Sequence, residues 1–239
     1  MLELTKVVSG YDKILVCHDI TIRVEDGEFV SIVGANGAGK TTLLKTISGI
    51  LPVNEGSIIF NGADITNMAS HEIVKKRLIL AAGMESLFAP MTVWENLMVN
   101  LYPFKKEMKN QEIDGQLDYV FSIFPQLHER KNQKAGTLSG GERQMLSLAK
   151  ALICKPEMLM LDEPSLGLAP IIVDTLFETI QKIVKDRNLS VLMVEQNVDR
   201  ALDISDRGYV LDVGRIVMEG QAADLLHDKR VKDVYLGIV

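Results

Sequence analysis

The sequence predicts an α/β fold: a mainly parallel β-sheet with helices packed on both faces. Three observations predict it. Short apolar runs of strand length alternate with stretches whose apolar residues recur at helical spacing, the pattern that builds parallel sheets. One run stops at a glycine-rich loop that opens directly into a helix. Another ends on two adjacent carboxylates, at the strand edge where the crevice of an open α/β sheet lies.

Taken in order, Leu2, Leu4 and Val7 alternate like a strand, as do Ile20-Thr21-Ile22-Arg23-Val24 before the turn pair Asp26-Gly27. Phe29-Val30-Ser31-Ile32-Val33 is a short apolar run suited to a buried parallel strand. From Lys40, the residues Leu43, Leu44 and Ile47 share one helical face, and Gly49 is the stop. Ser57-Ile58-Ile59-Phe60 reads as a strand closed by Asn61-Gly62, and Leu78-Ile79-Leu80-Ala81-Ala82 as a buried strand. Residues 86–133 read as mostly helical, interrupted at Pro90, Pro103 and Pro125. The runs Met158-Leu159-Met160-Leu161 and Ser190-Val191-Leu192-Met193-Val194 are strands separated by a helix over about 171–184. Tyr209-Val210-Leu211 and Ile216-Val217-Met218 flank a turn and read as a hairpin. With no internal repeat or linker, residues 1–239 are expected to form a single domain.

An aromatic content of 5% requires a core of Leu, Ile, Val, Ala and Met. The net charge of -6 argues against a general affinity for nucleic acid, which needs basic surface to displace counterions. It leaves room for a local phosphate site made of backbone amides. Cys17 and Cys154 have no metal-ligand spacing and read as small buried residues of a reducing compartment. The N-terminus lacks a signal-peptide pattern, and no run approaches the ~20 apolar residues of a membrane span. The expected location is the cytoplasm, with any membrane role exerted through a partner.

The chemistry concentrates in three motifs. Gly34-Ala35-Asn36-Gly37-Ala38-Gly39-Lys40-Thr41 matches G-x-x-x-x-G-K-[ST] in full, between an apolar strand and an apolar-faced helix that begins with Lys40, Thr41 and Thr42. Glycines let the backbone wrap a phosphate, amides and the helix N-terminus aim positive dipoles at it, Lys40 reaches the β- and γ-phosphates, and the Thr41 hydroxyl suits Mg²⁺. Asp162-Glu163-Pro164 leaves the next strand: Asp162 is placed to hold Mg²⁺, and Glu163 to take a proton from an attacking water. Leu138-Ser139-Gly140-Gly141-Glu142 precedes a helix whose apolar face includes Met145, Leu148, Ala149 and Leu152. Ser139 and Glu142 make a capping box, while the two glycines expose bare amides suited to an anion. Both readings stand.

In order and spacing these motifs resemble the nucleotide-binding subunit of ABC transporters, and the resemblance covers essentially the whole chain. It implies the P-loop NTPase ABC cassette, with an antiparallel β subdomain beside the parallel core and a helical subdomain over about 86–155. It implies ATP and Mg²⁺ as ligands, ATP hydrolysis, and a head-to-tail pair with a second cassette, related or identical. Ser139, Gly140 and Gly141 of one chain then serve the ATP on the other, Tyr11 stacks on adenine, and Gln196 stands at the switch position that is usually histidine. The runs around Ser165-Leu166-Gly167-Leu168-Ala169, Glu195-Gln196-Asn197, Asp206-Arg207 and Val234-Tyr235 look like the shorter ATPase of branched-chain amino acid importers. That implies permease partners, an extracytoplasmic solute-binding protein acting indirectly, and a peripheral place on the inner face of the membrane. Related cassettes serve amides or urea, and soluble ABC ATPases act on ribosomes or DNA. The chain has one cassette and no sustained heptads between Lys40 and Ser139, which favours the transporter. Ala169 replaces the usual loop aspartate, and Gly83 stands where a Gln or Glu is usual, with Glu85 as the carboxylate nearby. Trp94 reads as core packing in preference to a permease contact.

Overall fold

The computed structural model describes residues 1–231; the resemblance noted at Val234-Tyr235 lies outside them. Strands β1 (Leu2–Tyr11) and β2 (Ile14–Val24) lead into β3 (Phe29–Val33) and helix α1 (Lys40–Ile47). Next come β4 (Val53–Phe60), β5 (Ala63–Asp64), α2 (Ser70–Lys75) and β6 (Leu78–Ala81). The helical stretch holds α3 (Val93–Asn100), α4 (Asn110–Ile123), α5 (Pro125–Glu129) and α6 (Gly140–Leu152). The chain then alternates through β7 (Met158–Asp162), α7 (Pro170–Arg187), β8 (Ser190–Glu195) and α8 (Val198–Asp203). It closes with the hairpin β9 (Arg207–Asp212) and β10 (Arg215–Gln221) and with α9 (Ala222–His227).

Two sheets result. One is antiparallel, with strand order β2-β1-β4-β5; the other has six strands in the order β10-β9-β3-β8-β7-β6. In the second, only β10 runs antiparallel to its neighbour. The mainly parallel core and the antiparallel portion are therefore both present. The first two strands are longer than the alternation implied, because β-bulges carry the pairing past Val7 to Tyr11.

The strand period of two divides the core. Phe29 and Val33 of β3, Leu159 and Leu161 of β7, and Val191 and Met193 of β8 face one cluster, packed with the helical stretch, α6 and α7. Val30 and Ile32, Met158 and Met160, and Leu192 and Val194 face the other, against α1 and the antiparallel sheet. Leu43, Leu44 and Ile47 are buried as their spacing required. Both cysteines are free and buried, and burial pushes their thiols up to about 11 for Cys17 and about 12 for Cys154.

Trp94 departs from expectation. It is 43% exposed, whereas Val93, Asn96 and Leu97 of the same helix are fully buried. Val93 and Leu97 are one turn apart and take the inward face of α3, which turns Trp94 outward. It lines an open groove of about 770 Å³ with Met91, Met98, Val99, Tyr102 and Ile113.

Candidate functional site

β3 lies inside the six-stranded sheet, between β8 and β9, so the loop that follows it emerges at the carboxyl edge beside the loops after its neighbours. A Cβ at Gly34 would sit 2.2 Å from the Leu211 carbonyl oxygen, so only glycine fits there. Gly37 and Gly39 have φ of 82° and 106°, in the left-handed region that other residues enter only at a cost. Asn36 and Gly37 form the exposed tip of the loop, while Ala38 is buried, its carbonyl accepting the Gly214 amide of the β9–β10 turn at 2.9 Å.

Lys40 begins α1 and is buried, as is Thr42. The Lys40 Nζ donates to the carbonyls of Gly34 at 2.7 Å and Ala35 at 2.9 Å, and lies 3.0 Å from Glu163 Oε1. Thr41 Oγ1 donates to Asp162 Oδ1 at 2.9 Å. The phosphate loop and the acidic strand end are thus joined twice, across 121 residues of sequence for the Thr41–Asp162 bond alone.

The two carboxylates diverge because Glu163 adopts φ of 43°, rare for a residue with a side chain, while its amide donates to the Val194 carbonyl at 2.9 Å. Asp162 turns to Thr41 and Glu163 to Lys40. Burial pushes the Asp162 carboxyl above the ordinary range; the Thr41 hydroxyl opposes this and the neighbouring Glu163 charge adds to it. A dication would relieve both the burial and the repulsion. Two hard oxygens from Thr41 and Asp162, opening on a cleft, fit Mg²⁺, which takes few protein ligands and completes its shell with water and phosphate.

That cleft, of about 260 Å³, is lined by Thr41, Asp162, Glu163, Gly83, Glu85 and Gln144, among others. Gly83 has φ of 67°, and a Cβ there would meet nothing within 4 Å. Glu85 is exposed in the 3-10 turn Met84–Ser86 that follows. Gln144 was not legible as a site residue; its only signal is its place one turn into the helix after the serine-glycine turn.

Gln196 follows β8, whose Glu195 lies opposite Val33 of β3, so the switch position emerges level with the start of the phosphate loop. Glu195 itself is 1% exposed and accepts the amides of Ser165 at 2.9 Å, Gln196 at 2.8 Å and Asn197 at 3.2 Å. This carboxylate, whose sequence signal is a charge ending an apolar strand, fixes the loop after Glu163 and the switch position together.

The serine-glycine turn shows both halves of the capping box: the Glu142 amide donates to Ser139 Oγ at 3.3 Å, and the Ser139 amide to Glu142 Oε2 at 2.8 Å. That amide, with help from the Arg130 guanidinium 2.8 Å away, holds the Glu142 carboxyl below its usual range. A Cβ at Gly141 would stand 2.8 Å from Ile172 Cγ2, so glycine lets α6 start against α7. Ser139 is exposed beside the half-buried Gly140 and Gly141, and among the described residues no hydrogen bond joins this turn to the phosphate loop. Tyr11, exposed at the end of β1, is likewise not bonded to the loop; the adjoining β2 approaches it, with Val16 Cγ1 3.4 Å from the Cβ position of Gly39.

The ABC transporter family model matches residues 17–166. The chain is 44% identical to the high-affinity branched-chain amino acid transport ATP-binding protein BraG of Pseudomonas aeruginosa, over 99% of this chain and 100% of the relative. It is 40% identical to the probable branched-chain amino acid transport ATP-binding protein LivF of Archaeoglobus fulgidus, over 100% of both. A crystal structure of an ABC transporter ATP-binding cassette in its ADP conformation superposes with a TM-score of 0.85 at 27% identity, covering 99% of this chain and 98% of that one. With the phosphate loop, the paired carboxylates and the serine-glycine turn on one cassette fold, the chain belongs to the ABC transporter family, as one of its ATP-binding proteins.

Proposed function

We propose that this chain hydrolyses ATP to drive a branched-chain amino acid importer, working as one of two cassettes beneath a pair of permeases. The observation that carries the reading is the convergence of Thr41, Asp162 and Glu163 on one cleft, with the buried Lys40 ammonium 3.0 Å from Glu163, a set that supports a different role for each in phosphoryl transfer. Lys40 bridges the β- and γ-phosphates, and must leave Glu163 to do so. The amides of residues 37–42 and the N-terminus of α1 bind the phosphate oxygens. Thr41 and Asp162 hold Mg²⁺, which supplies charge neutralisation on the phosphates when bound. Glu163, released from Lys40, takes the proton of the water that attacks the γ-phosphorus as the bond to the ADP oxygen breaks; such a base contributes ~10²–10⁴ in rate. Gln196 donates a hydrogen bond to the γ-phosphate, or hydrogen-bonds the attacking water, without titrating near neutrality.

The exposed Ser139-Gly140-Gly141 turn serves a nucleotide held by the second cassette, of the same or a related chain, and Tyr11 stacks on adenine. Residues 86–155 act as a helical subdomain within a domain spanning 1–239. Its groove around Trp94 and Tyr102 supports a permease contact, being a large apolar patch on a surface that otherwise needs none. The solute class rests on the names of the two relatives. Among the described residues no helix is long and apolar enough to cross a membrane. Resemblance to transporter ATPases supports a peripheral place on the inner face of the membrane, reached through the permeases.

Titration calorimetry tests the nucleotide site: Mg-ATP binds the wild-type chain, binding weakens when Mg²⁺ is withheld, and Lys40→Ala abolishes it. Equal uptake by Lys40→Ala would remove the phosphate loop from the reading. Leucine uptake by cells lacking the gene, with and without the chain restored, tests the solute class, and undiminished uptake in its absence would sink that part alone.

A further inference from the structure

The segment 82–88 joins two places that must communicate if the cleft drives a membrane partner. At its start, Ala82, Gly83, Met84 and Glu85 line the cleft with Thr41, Asp162 and Glu163. At its end, Phe88 is exposed, and its backbone is bonded to Asn96 of α3, the helix that also carries Trp94. Gly83 has no side chain with which to grip anything, and open space surrounds its Cβ position. Within the segment the Gly83 carbonyl accepts the Ser86 hydroxyl at 2.7 Å, and a further grip comes from outside it. The Gly83 carbonyl accepts a hydrogen bond from Ser147 Oγ at 2.8 Å, and the Ser86 carbonyl accepts one from Lys150 Nζ at 2.6 Å. Ser147 and Lys150 are three residues apart and share one face of α6, the helix that also presents Gln144 to the cleft.

Lys150 is 4% exposed, and among the described residues it forms no salt bridge. Its ammonium rests on the Ser86 carbonyl and over the Phe88 ring, 5.0 Å from the centroid. Burying a cation with so little compensation is costly, and a methionine would fill the space at lower cost if packing were the only demand. At the far end, the Phe88 amide donates to Asn96 Oδ1 at 2.9 Å and Asn96 Nδ2 donates back to the Phe88 carbonyl at 3.0 Å. The Asn100 amide group donates to the Lys150 carbonyl at 2.8 Å, so α3 is tied to α6 directly as well.

We propose that Ser147 and Lys150 are positioning residues that clamp segment 82–88 by its backbone carbonyls, making the nucleotide cleft, α6 and the Trp94 face of α3 one mechanical unit. Load passes through carbonyls held by a neighbouring helix, so the segment needs no side chain at position 83. The inference rests on reading the cleft as the Mg-nucleotide site, and it adds the two α6 residues that hold the segment in place.

Trp94 is the chain's single tryptophan, so its emission reports on that face without engineering. The probe is Mg²⁺ with a non-hydrolysable ATP analogue, followed by calorimetry and by Trp94 emission in parallel. In the wild-type chain the emission shift saturates with the calorimetric Kd. In Ser147→Ala/Lys150→Met, at analogue concentrations that saturate by that variant's own calorimetric Kd, most of the emission shift is lost. Lys150→Arg restores it, since a cationic donor again reaches the Ser86 carbonyl. Ser147→Ala alone, too mild a change to prevent folding, loses part of the shift. A full shift in the double variant, or a silent Trp94 in a wild-type chain that binds the analogue, overturns the clamp while leaving the nucleotide site intact. Absence of calorimetric binding to the wild type overturns the site and the clamp with it.

Discussion

Glu163→Gln separates two jobs that the structure gives one side chain. Lys40 has three N–H groups and three acceptors: the Gly34 and Ala35 carbonyls and Glu163. A phosphate must take Lys40 from Glu163, so the ion pair opposes binding. A hydrogen bond to a charged group contributes about 1.5–3 kcal/mol, and the amide oxygen of glutamine retains roughly half of it. Loss of the charge therefore removes about 1 kcal/mol from the empty state, and loss of repulsion between Glu163 and the γ-phosphate adds to the bound state. One to two kcal/mol corresponds to about 5- to 30-fold tighter Mg-ATP binding. The same change removes the base, so phosphate release falls by ~10²–10⁴. Calorimetry and a phosphate-release assay on the same preparation read both effects. Unchanged or weaker affinity would show that the Lys40–Glu163 pair does not compete with ATP, and an undiminished rate would remove Glu163 from the chemistry.

Ser139→Ala removes the cap of α6 and should cost about 1 kcal/mol, lowering the Tm of the nucleotide-free chain by about 2–4 °C in differential scanning calorimetry. Gly34→Ala and Gly37→Ala test the loop's two different needs: the first drives a methyl into the Leu211 carbonyl and should prevent nucleotide binding, whereas the second meets open space and costs only the ~1–2 kcal/mol of a left-handed residue, read from denaturant titrations. Asp162→Asn should raise the Tm of the metal-free chain at neutral pH while abolishing Mg²⁺-dependent binding. The folded-state pKa of Asp162 lies above its unfolded value, so its stabilising contribution is complete only below the unfolded value of ~3.9 and is lost as pH rises through the folded one; the gain from asparagine must vanish in acid.

The phosphate loop, the acidic strand end and the individual strands of the mainly parallel sheet were legible because each is written in adjacent residues. Periodicity exposes Phe29–Val33 and Ser190–Glu195, and the glycines between Val33 and Lys40 leave little else to build. The pairing of Lys40 with Glu163 and of Thr41 with Asp162 was not legible, since it depends on which strands lie side by side, and the order β10-β9-β3-β8-β7-β6 inserts β3 between β9 and β8, far from both in the chain. Glu195 was hidden for the same reason: its three amide donors belong to two loops that meet only when β8 lies beside β7. Trp94 was misjudged because an aromatic residue beside apolar neighbours suggests a core. On α3 the register of Val93 and Leu97 decides, and it turns the indole outward.

Because the cleft draws on α6 and on the loops leaving β3, β6 and β7, no short piece of the chain can form it. A nascent or truncated polypeptide that ends before Ser190 lacks the strand that joins β3 to β7, and with it the means of holding the two motifs together for ATP. Ligand occupancy is then a property of the finished molecule alone: at a hundredfold excess over Kd it contributes about 2.7 kcal/mol against unfolding. Incomplete chains receive none of that protection and stay open to proteolysis.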